Sequence, residues 1–168
     1  MTPDSSFAAE IDAIDYSELC VLPEYIDVNG HMNIGYYSVL FDHALREPFY
    51  RRVLGGVSVI RRENVTSFAV ESHLTYQREV KQGDPLRFRF RVIDLDAKRA
   101  HLFMAMYHAK EGWLSATHEW LTMCVDLALR RTTAWPRPIF DKLAALHAVH
   151  KLEPKPAEVG RVVGIRGK

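Results

Sequence analysis

The hydrophobic period of this chain switches from helical to alternating after its first third, and that switch constrains the fold most. Ile34, Tyr37, Leu40, Phe41, Ala44 and Leu45 fall at helical spacing and define one apolar face. Tyr36 and Val39 widen that face beyond a narrow stripe. Asn33 stands where an N-cap belongs. Pro48 predicts an end or kink near Glu47, with a further turn over 49–54 before Gly55 and Gly56 break it.

From residue 66 the period is two. Over 66–78, Phe68, Val70, Ser72, Leu74 and Tyr76 share one face, and Ala69, Glu71, His73, Thr75 and Gln77 share the other. Gly83-Asp84-Pro85 reads as a turn. In the next strand Leu86, Phe88, Phe90 and Val92 alternate with Arg87, Arg89 and Arg91. Strands over 100–109 and 113–126 follow, separated by turns at 94–98 and 110–112. Short connections between sequential strands predict an antiparallel meander. A short strand over 18–23 precedes the helix, and spacing of Leu143, Leu146 and Val149 predicts a C-terminal helix over 139–150. The expected fold is α+β: one long central helix wrapped by a curved antiparallel sheet. Residues 1–17 read as a flexible leader, 18–150 as the domain and 151–168 as a flexible tail. An open sheet of this kind leaves a strand edge, which a second copy is expected to cover.

Composition narrows the function classes. A net charge of +1 over 168 residues does not suit a general nucleic-acid binder. No apolar run reaches the roughly 20 residues of a membrane span. The start of the chain lacks a charged-then-apolar signal segment, so the expected compartment is the cytoplasm. Cys20 and Cys124 lie in apolar runs and read as buried thiols. No HExxH motif is present and His101 and His108 alternate to opposite strand faces, so no metal site is expected. No GxSxG elbow supports a Ser-His-Asp triad.

The chemistry concentrates in Asp27-Val28-Asn29-Gly30-His31-Met32-Asn33. A carboxylate here sits just before a Gly turn, and the turn feeds a helix N-terminus. Backbone N–H groups at such an end can hold an oxyanion beside an acid/base or nucleophilic group, which is what attack on an acyl group needs. The alternative role for Asp27 is an Asx turn that supports Gly30.

The stretch from Leu22 to Asn33, then Tyr36-Tyr37 and Phe41-Asp42-His43-Ala44, resembles the entry of hotdog-fold acyl-CoA thioesterases of the 4-hydroxybenzoyl-CoA thioesterase type. Glu71-Ser72-His73-Leu74-Thr75-Tyr76 and Gly83-Asp84-Pro85-Leu86 resemble that family's second strand and Gly-Asp turn. The segment from His108 to Arg131 is most similar to thioesterases associated with carnitine and betaine metabolism. The resemblance implies a homodimer or a dimer of dimers with sites at the subunit interface. It also implies no metal, and no cofactor beyond the CoA of the substrate. It makes Asp27 the nucleophile or general base of thioester hydrolysis. The alternatives are a non-catalytic module that binds acyl-CoA or serves in assembly, and a hotdog dehydratase, against which the Asp27 block argues.

The remaining candidates follow from position. Backbone N–H groups of Ile34 and Gly35 are the expected oxyanion donors, with His31 and Asn33 lining the site. Glu71 is either a second active-site carboxylate or half of an ion pair with an arginine, and His73 reads as a surface or interface histidine. Arg87, Arg89 and Arg91 form a basic row that reads as a solvated face or a contact to CoA phosphates, a role for which Arg130 and Arg131 compete. Tyr36, Tyr37, Phe68, Trp113 and Trp120 are the aromatics available to an acyl pocket, and a quaternary ammonium acyl group would seek such faces. A short or polar acyl group is expected.

Overall fold

The structure is a computed structural model that describes residues 5–165. In chain order it contains α1 (Ser6–Asp12), α2 (Ile34–Leu45), α3 (Gly56–Glu63), β1 (Val65–Tyr76), β2 (Leu86–Leu95), β3 (Arg99–His108), β4 (Leu114–Asp126), β5 (Arg131–Thr132) and α4 (Arg137–His150). The sheet order is β1-β4-β3-β2, all antiparallel, with the two-residue β5 beside β4.

Helix α2 forms where its spacing predicts. The Asn33 side chain accepts the Gly35 N–H at 2.9 Å, which closes the first turn. Tyr37, Leu40, Phe41, Ala44 and Leu45 are buried against the sheet. Ile34, at the helix start, is 64% exposed and does not reach the core. Pro48 does not end the helix. Residues Arg46–Val53 widen into a π-helical stretch, closed by Leu54 N–H donating to the Phe49 carbonyl at 2.8 Å. Pro48 has no N–H to give a four-residue ladder, and the wider turn absorbs that loss.

The sheet is a meander only over β2, β3 and β4. Strand β1 pairs with β4 and lies at the far edge, because the 77–85 connection carries the chain across to the opposite edge instead of turning back. The predicted strand over 18–23 shrinks to one bridge, Cys20 with Pro85, flanked by Leu86 N–H donating to Leu19 and Val21 N–H to Asp84. Pro23 begins a 3₁₀ turn and stops the pairing.

A bulge between Ala69 and Glu71 leaves Val70 as an extra residue in β1. The inward face therefore changes parity: Ser67 and Ala69 share it with Ser72, Leu74 and Tyr76. Phe68 turns to the outer face, where the Arg130 guanidinium lies 5.1 Å from its ring. The single alternation expected across this strand does not hold.

The two sheet edges differ. Near its start β2 is bonded to residues 19–21, and further along α4 flanks it. No described element pairs with the outer edge of β1. Val70 and Tyr76 on β1, with Ile34 and Val39 on α2, are exposed on the single chain.

Both termini pack more than expected. Helix α1 lies against α4 and buries Ala8 and Ile11, so much of the expected leader belongs to the core. Beyond α4, Glu153 pairs with Arg89 at 2.6 Å and Val159 packs on Phe103 and Ala105, across the outer sheet face. The row Arg87, Arg89 and Arg91 is accordingly solvated only at Arg87, which is exposed, while Arg89 is half-buried and Arg91 buried. Arg87 stacks on Tyr107, Arg89 pairs with Glu153 and Asp12, and buried Arg91 donates to the carbonyls of His150 and Pro154. Apart from Tyr107 on β3, these partners come from α1, from the end of α4 and from the segment after it, to which strand alternation is blind.

Candidate active site

The loop before α2 is built by its own backbone. Asp27 N–H donates to the His31 carbonyl, Gly30 N–H to the Asp27 carbonyl, and Asn33 N–H to the Tyr25 carbonyl. Gly30 adopts φ +84°, a conformation that side chains disfavour. Met32 N–H donates to the Val80 carbonyl and ties the loop to the segment after β1. Asp27 Oδ1 accepts the Asn29 N–H at 2.8 Å, so the Asx-turn role is present. That bond engages one carboxylate oxygen.

These constraints bring Asp27, His31, Asn33, Ile34 and Tyr37 together around an open cavity of about 360 Å³. Tyr76, Gln77, Arg78 and Glu79 form its other wall. The Tyr37 and Tyr76 rings meet edge-on at 5.0 Å, and His31 Nε2 is 3.5 Å from Glu79. Burial raises the Tyr37 hydroxyl pKa. Because Gly35 N–H already bonds Asn33, Ile34 N–H is the remaining donor closest to the start of α2, where the helix dipole favours negative charge.

A second, separate cavity of about 160 Å³ lies in the seam between α2 and β1, lined by Phe41, Asp42, Tyr50, Ser72, His118 and Trp120 among others. Ser72 Oγ lies 2.6 Å from His118 Nε2. Burial holds His118 down at about 4, so its ring is neutral near pH 7.

Other candidates lie elsewhere. Glu71 and His73 line an outer-face cavity with His101, Glu119 and Gly160, on the side of the sheet away from Asp27. The arginine partner considered for Glu71 is absent among the described ion pairs. Arg130 and Arg131 follow β4, whose Asp126 pairs with Val65 at the start of β1, so within one chain they stand at the opposite end of β1 from Tyr76. Tyr36 stacks on Tyr25 at 4.4 Å, and Trp113 is sandwiched between Arg78 and His108; neither lines these cavities. Burial pushes the Cys124 thiol up to about 11, which leaves it inert.

Sequence reasoning missed Tyr76 and Glu79 at the loop cavity, and Asp42, Tyr50, Ser72 and His118 in the seam. Asp42 lies within α2, next to Phe41 of its apolar stripe, and Tyr50 in the π-helical stretch that follows. Ser72, Tyr76 and Glu79 belong to β1 and the residues just after it, which reach α2 and the Asp27 loop only in the folded chain, and the β1–β4 pairing brings His118 to Ser72.

One helix laid in a curved antiparallel sheet is the hotdog architecture, and here the Asp27 carboxylate shares a cavity with the start of that helix. A family model described as the Thioesterase-like superfamily matches residues 21–145, and the chain belongs to that superfamily. A betainyl-CoA thioesterase of Pseudomonas aeruginosa is 32% identical over 149 residues, covering 88% of this chain and 92% of that protein. An L-carnitine dehydrogenase/betainyl-CoA thioesterase of a Rhizobium species is 27% identical over 140 residues, and the match spans only 28% of its length. Among solved structures, a hypothetical protein of Staphylococcus aureus in complex with CoA superposes with a TM-score of 0.81 at 26% identity, covering 88% of this chain and 92% of that one. A putative thioesterase of Pseudomonas putida shares the fold at a TM-score of 0.72, with 22% identity over 88% of this chain and 93% of that one.

Proposed function

We propose that this protein hydrolyses short, polar acyl-CoA thioesters to the free acid and CoA, with Asp27 as the reacting carboxylate. The observation that carries this reading is the shared cavity of Asp27 and the start of α2. A thioester carbonyl placed there meets the Asp27 carboxylate on one side and the Ile34 N–H on the other. As general base, Asp27 takes a proton from water while the water oxygen adds to the carbonyl carbon. The electron pair of the carbonyl moves to oxygen, where the N–H and helix dipole stabilise it. Collapse of the tetrahedral intermediate breaks the C–S bond and releases CoA as thiolate. As nucleophile, the Asp27 carboxylate oxygen would add to the carbonyl carbon, the C–S bond would break to release CoA as thiolate, and water would open the resulting acyl anhydride to the free acid and regenerated Asp27.

The site is open on one side in a single chain. A second copy paired along the free edge of β1 would cover Val70, Tyr76 and Ile34 and close the cleft. The betainyl-CoA thioesterase relative supports an acyl group of betaine type.

The test is thiol release from betainyl-, acetyl-, butyryl-, benzoyl- and palmitoyl-CoA by the purified protein. Turnover of betainyl- or other short acyl-CoA in preference to palmitoyl-CoA is expected. Palmitoyl-CoA as the best substrate by a wide margin would overturn the acyl preference. Binding of these thioesters without release from any of them would overturn hydrolysis.

A further inference from the structure

The cavity between α2 and β1, one turn of helix beyond Tyr37, has an unusual lining. Four aromatic side chains face it: Phe41, Phe49, Tyr50 and Trp120. Asp42 is its only carboxylate, and no lysine or arginine lines it. Asp42 has one ion-pair partner among the described residues, Arg46, at a loose 3.9 Å with both side chains more than half exposed. His118, neutral near pH 7, adds no positive charge.

The cavity's hydroxyls are mostly spoken for. Ser72 bonds His118, Thr122 donates to the Phe68 carbonyl, and the Tyr50 hydroxyl is bonded to Ser67. Ser38 is the one further hydroxyl on the wall. A primary ammonium needs three acceptors and would lose hydration here without replacement. A quaternary ammonium has no N–H to satisfy. It is held by aromatic faces and by a nearby carboxylate, both of which this cavity presents.

From these features we infer that the cavity lined by Tyr50, Trp120, Phe41 and Asp42 is the subsite for a quaternary ammonium group on the acyl chain. The inference rests on the thioesterase reading above and extends it to residues. The two cavities are separate and lie along the same helix and strand: Tyr37 and Tyr76 line the one, Phe41 and Ser72, each four residues away, the other. Phe41 lies about 10 Å along the helix axis from Ile34, so two chain lengths belong in the test.

The experiment compares charge at constant shape. Betainyl-CoA is paired with 3,3-dimethylbutyryl-CoA, and 4-(trimethylammonio)butyryl-CoA with 5,5-dimethylhexanoyl-CoA; each pair differs by nitrogen against carbon. In the wild type, kcat/KM for the cationic member of at least one pair should exceed its neutral partner at least tenfold. Asp42→Asn and Tyr50→Leu should each cut that ratio about tenfold. A ratio near one in both pairs, with the neutral thioesters turned over, would overturn the subsite and leave the thioesterase reading standing. A cation preference that neither variant moves would also overturn it. Should no thioester be hydrolysed, the thioesterase reading falls. Calorimetric binding of the matching CoA thioethers, cationic against neutral, then decides the subsite without turnover by the same tenfold criterion.

Discussion

His150 Nδ1 accepts the backbone N–H of Val92 at 3.0 Å, joining the last turn of α4 to the edge strand β2. The ring is fully buried, and burial holds it at about 4 against an ordinary 6.5. A proton on Nδ1 would face the Val92 N–H and destroy the bond. The unfolded chain binds that proton more readily than the folded one, so stability is complete above pH 6.5 and is lost as pH falls toward about 4. The loss should be on the order of 3 kcal/mol for His150. Half-buried His118, whose ring is likewise held down by desolvation, adds a loss in the same direction. Urea unfolding at a series of pH values from 8 to 4 measures it. The His150→Asn variant, which keeps an acceptor near Nδ1 but does not titrate, should show a shallower fall. A slope equal to wild type would refute this account.

Asp27→Asn should lower kcat by about 10²–10⁴-fold, the range for loss of a positioned general base. The asparagine keeps an oxygen where Asp27 Oδ1 accepts the Asn29 N–H, so the Gly30 turn and the fold should persist. Steady-state kinetics with thermal unfolding on the same sample separates the two effects. Near-wild-type turnover in a folded variant would remove Asp27 from the chemistry.

The central helix was legible because its buried positions, Tyr37, Leu40, Phe41, Ala44 and Leu45, obey one period. So was the Asp27 loop, because Gly30 and the Asn33 cap mark a turn into a helix. Three features were not. The π-helical stretch around Pro48 depends on neighbouring packing that tolerates a widened turn, where local rules only forbid a regular one. The bulge at Val70 inserts one residue, and alternation alone does not reveal an insertion that both faces can accept. The position of β1 beside β4 follows from pairing partners far apart in sequence. For the same reason Ser72 and His118, 46 residues apart, could not be seen as a pair. The arginine row was visible as a pattern, but its partners were not: Glu153 and Asp12 sit in terminal segments without a strong apolar period, and the docking of His150, at the end of a legible helix, on β2 is a tertiary contact that no local pattern reveals.

The free edge of β1 should join a second copy. Light scattering in dilute buffer is expected to give at least twice the 19.3 kDa chain mass. Val70→Lys, placed at the exposed bulge, should shift the protein toward monomer and lower activity together, because the cleft beside Tyr76 loses its cover. An active wild-type monomer at micromolar concentration would contradict this arrangement.

Arg91 should prove the main anchor of the C-terminal segment. Its guanidinium is buried, donates to His150 and Pro154 at 2.8 and 3.0 Å, and lies 3.8 Å from Glu153. Arg89 holds the Glu153 carboxyl below the usual carboxylate range, and Arg91 adds to the effect. Arg91→Met preserves much of the side-chain length but strands two carbonyls, at about 1–3 kcal/mol each where they stay dry. Val159 should then lift from Phe103 and Ala105 and expose the outer face of β3. Hydrogen exchange reads this directly: amides over 153–160 should exchange faster in Arg91→Met, while those of α2 hold. The Gly160 N–H is the sharpest reporter, since it donates to the Glu119 carboxylate at 2.9 Å on that face. Unchanged protection at Gly160, with stability within about 0.5 kcal/mol of wild type, would show that the segment is held by Val159 and Glu119 without Arg91.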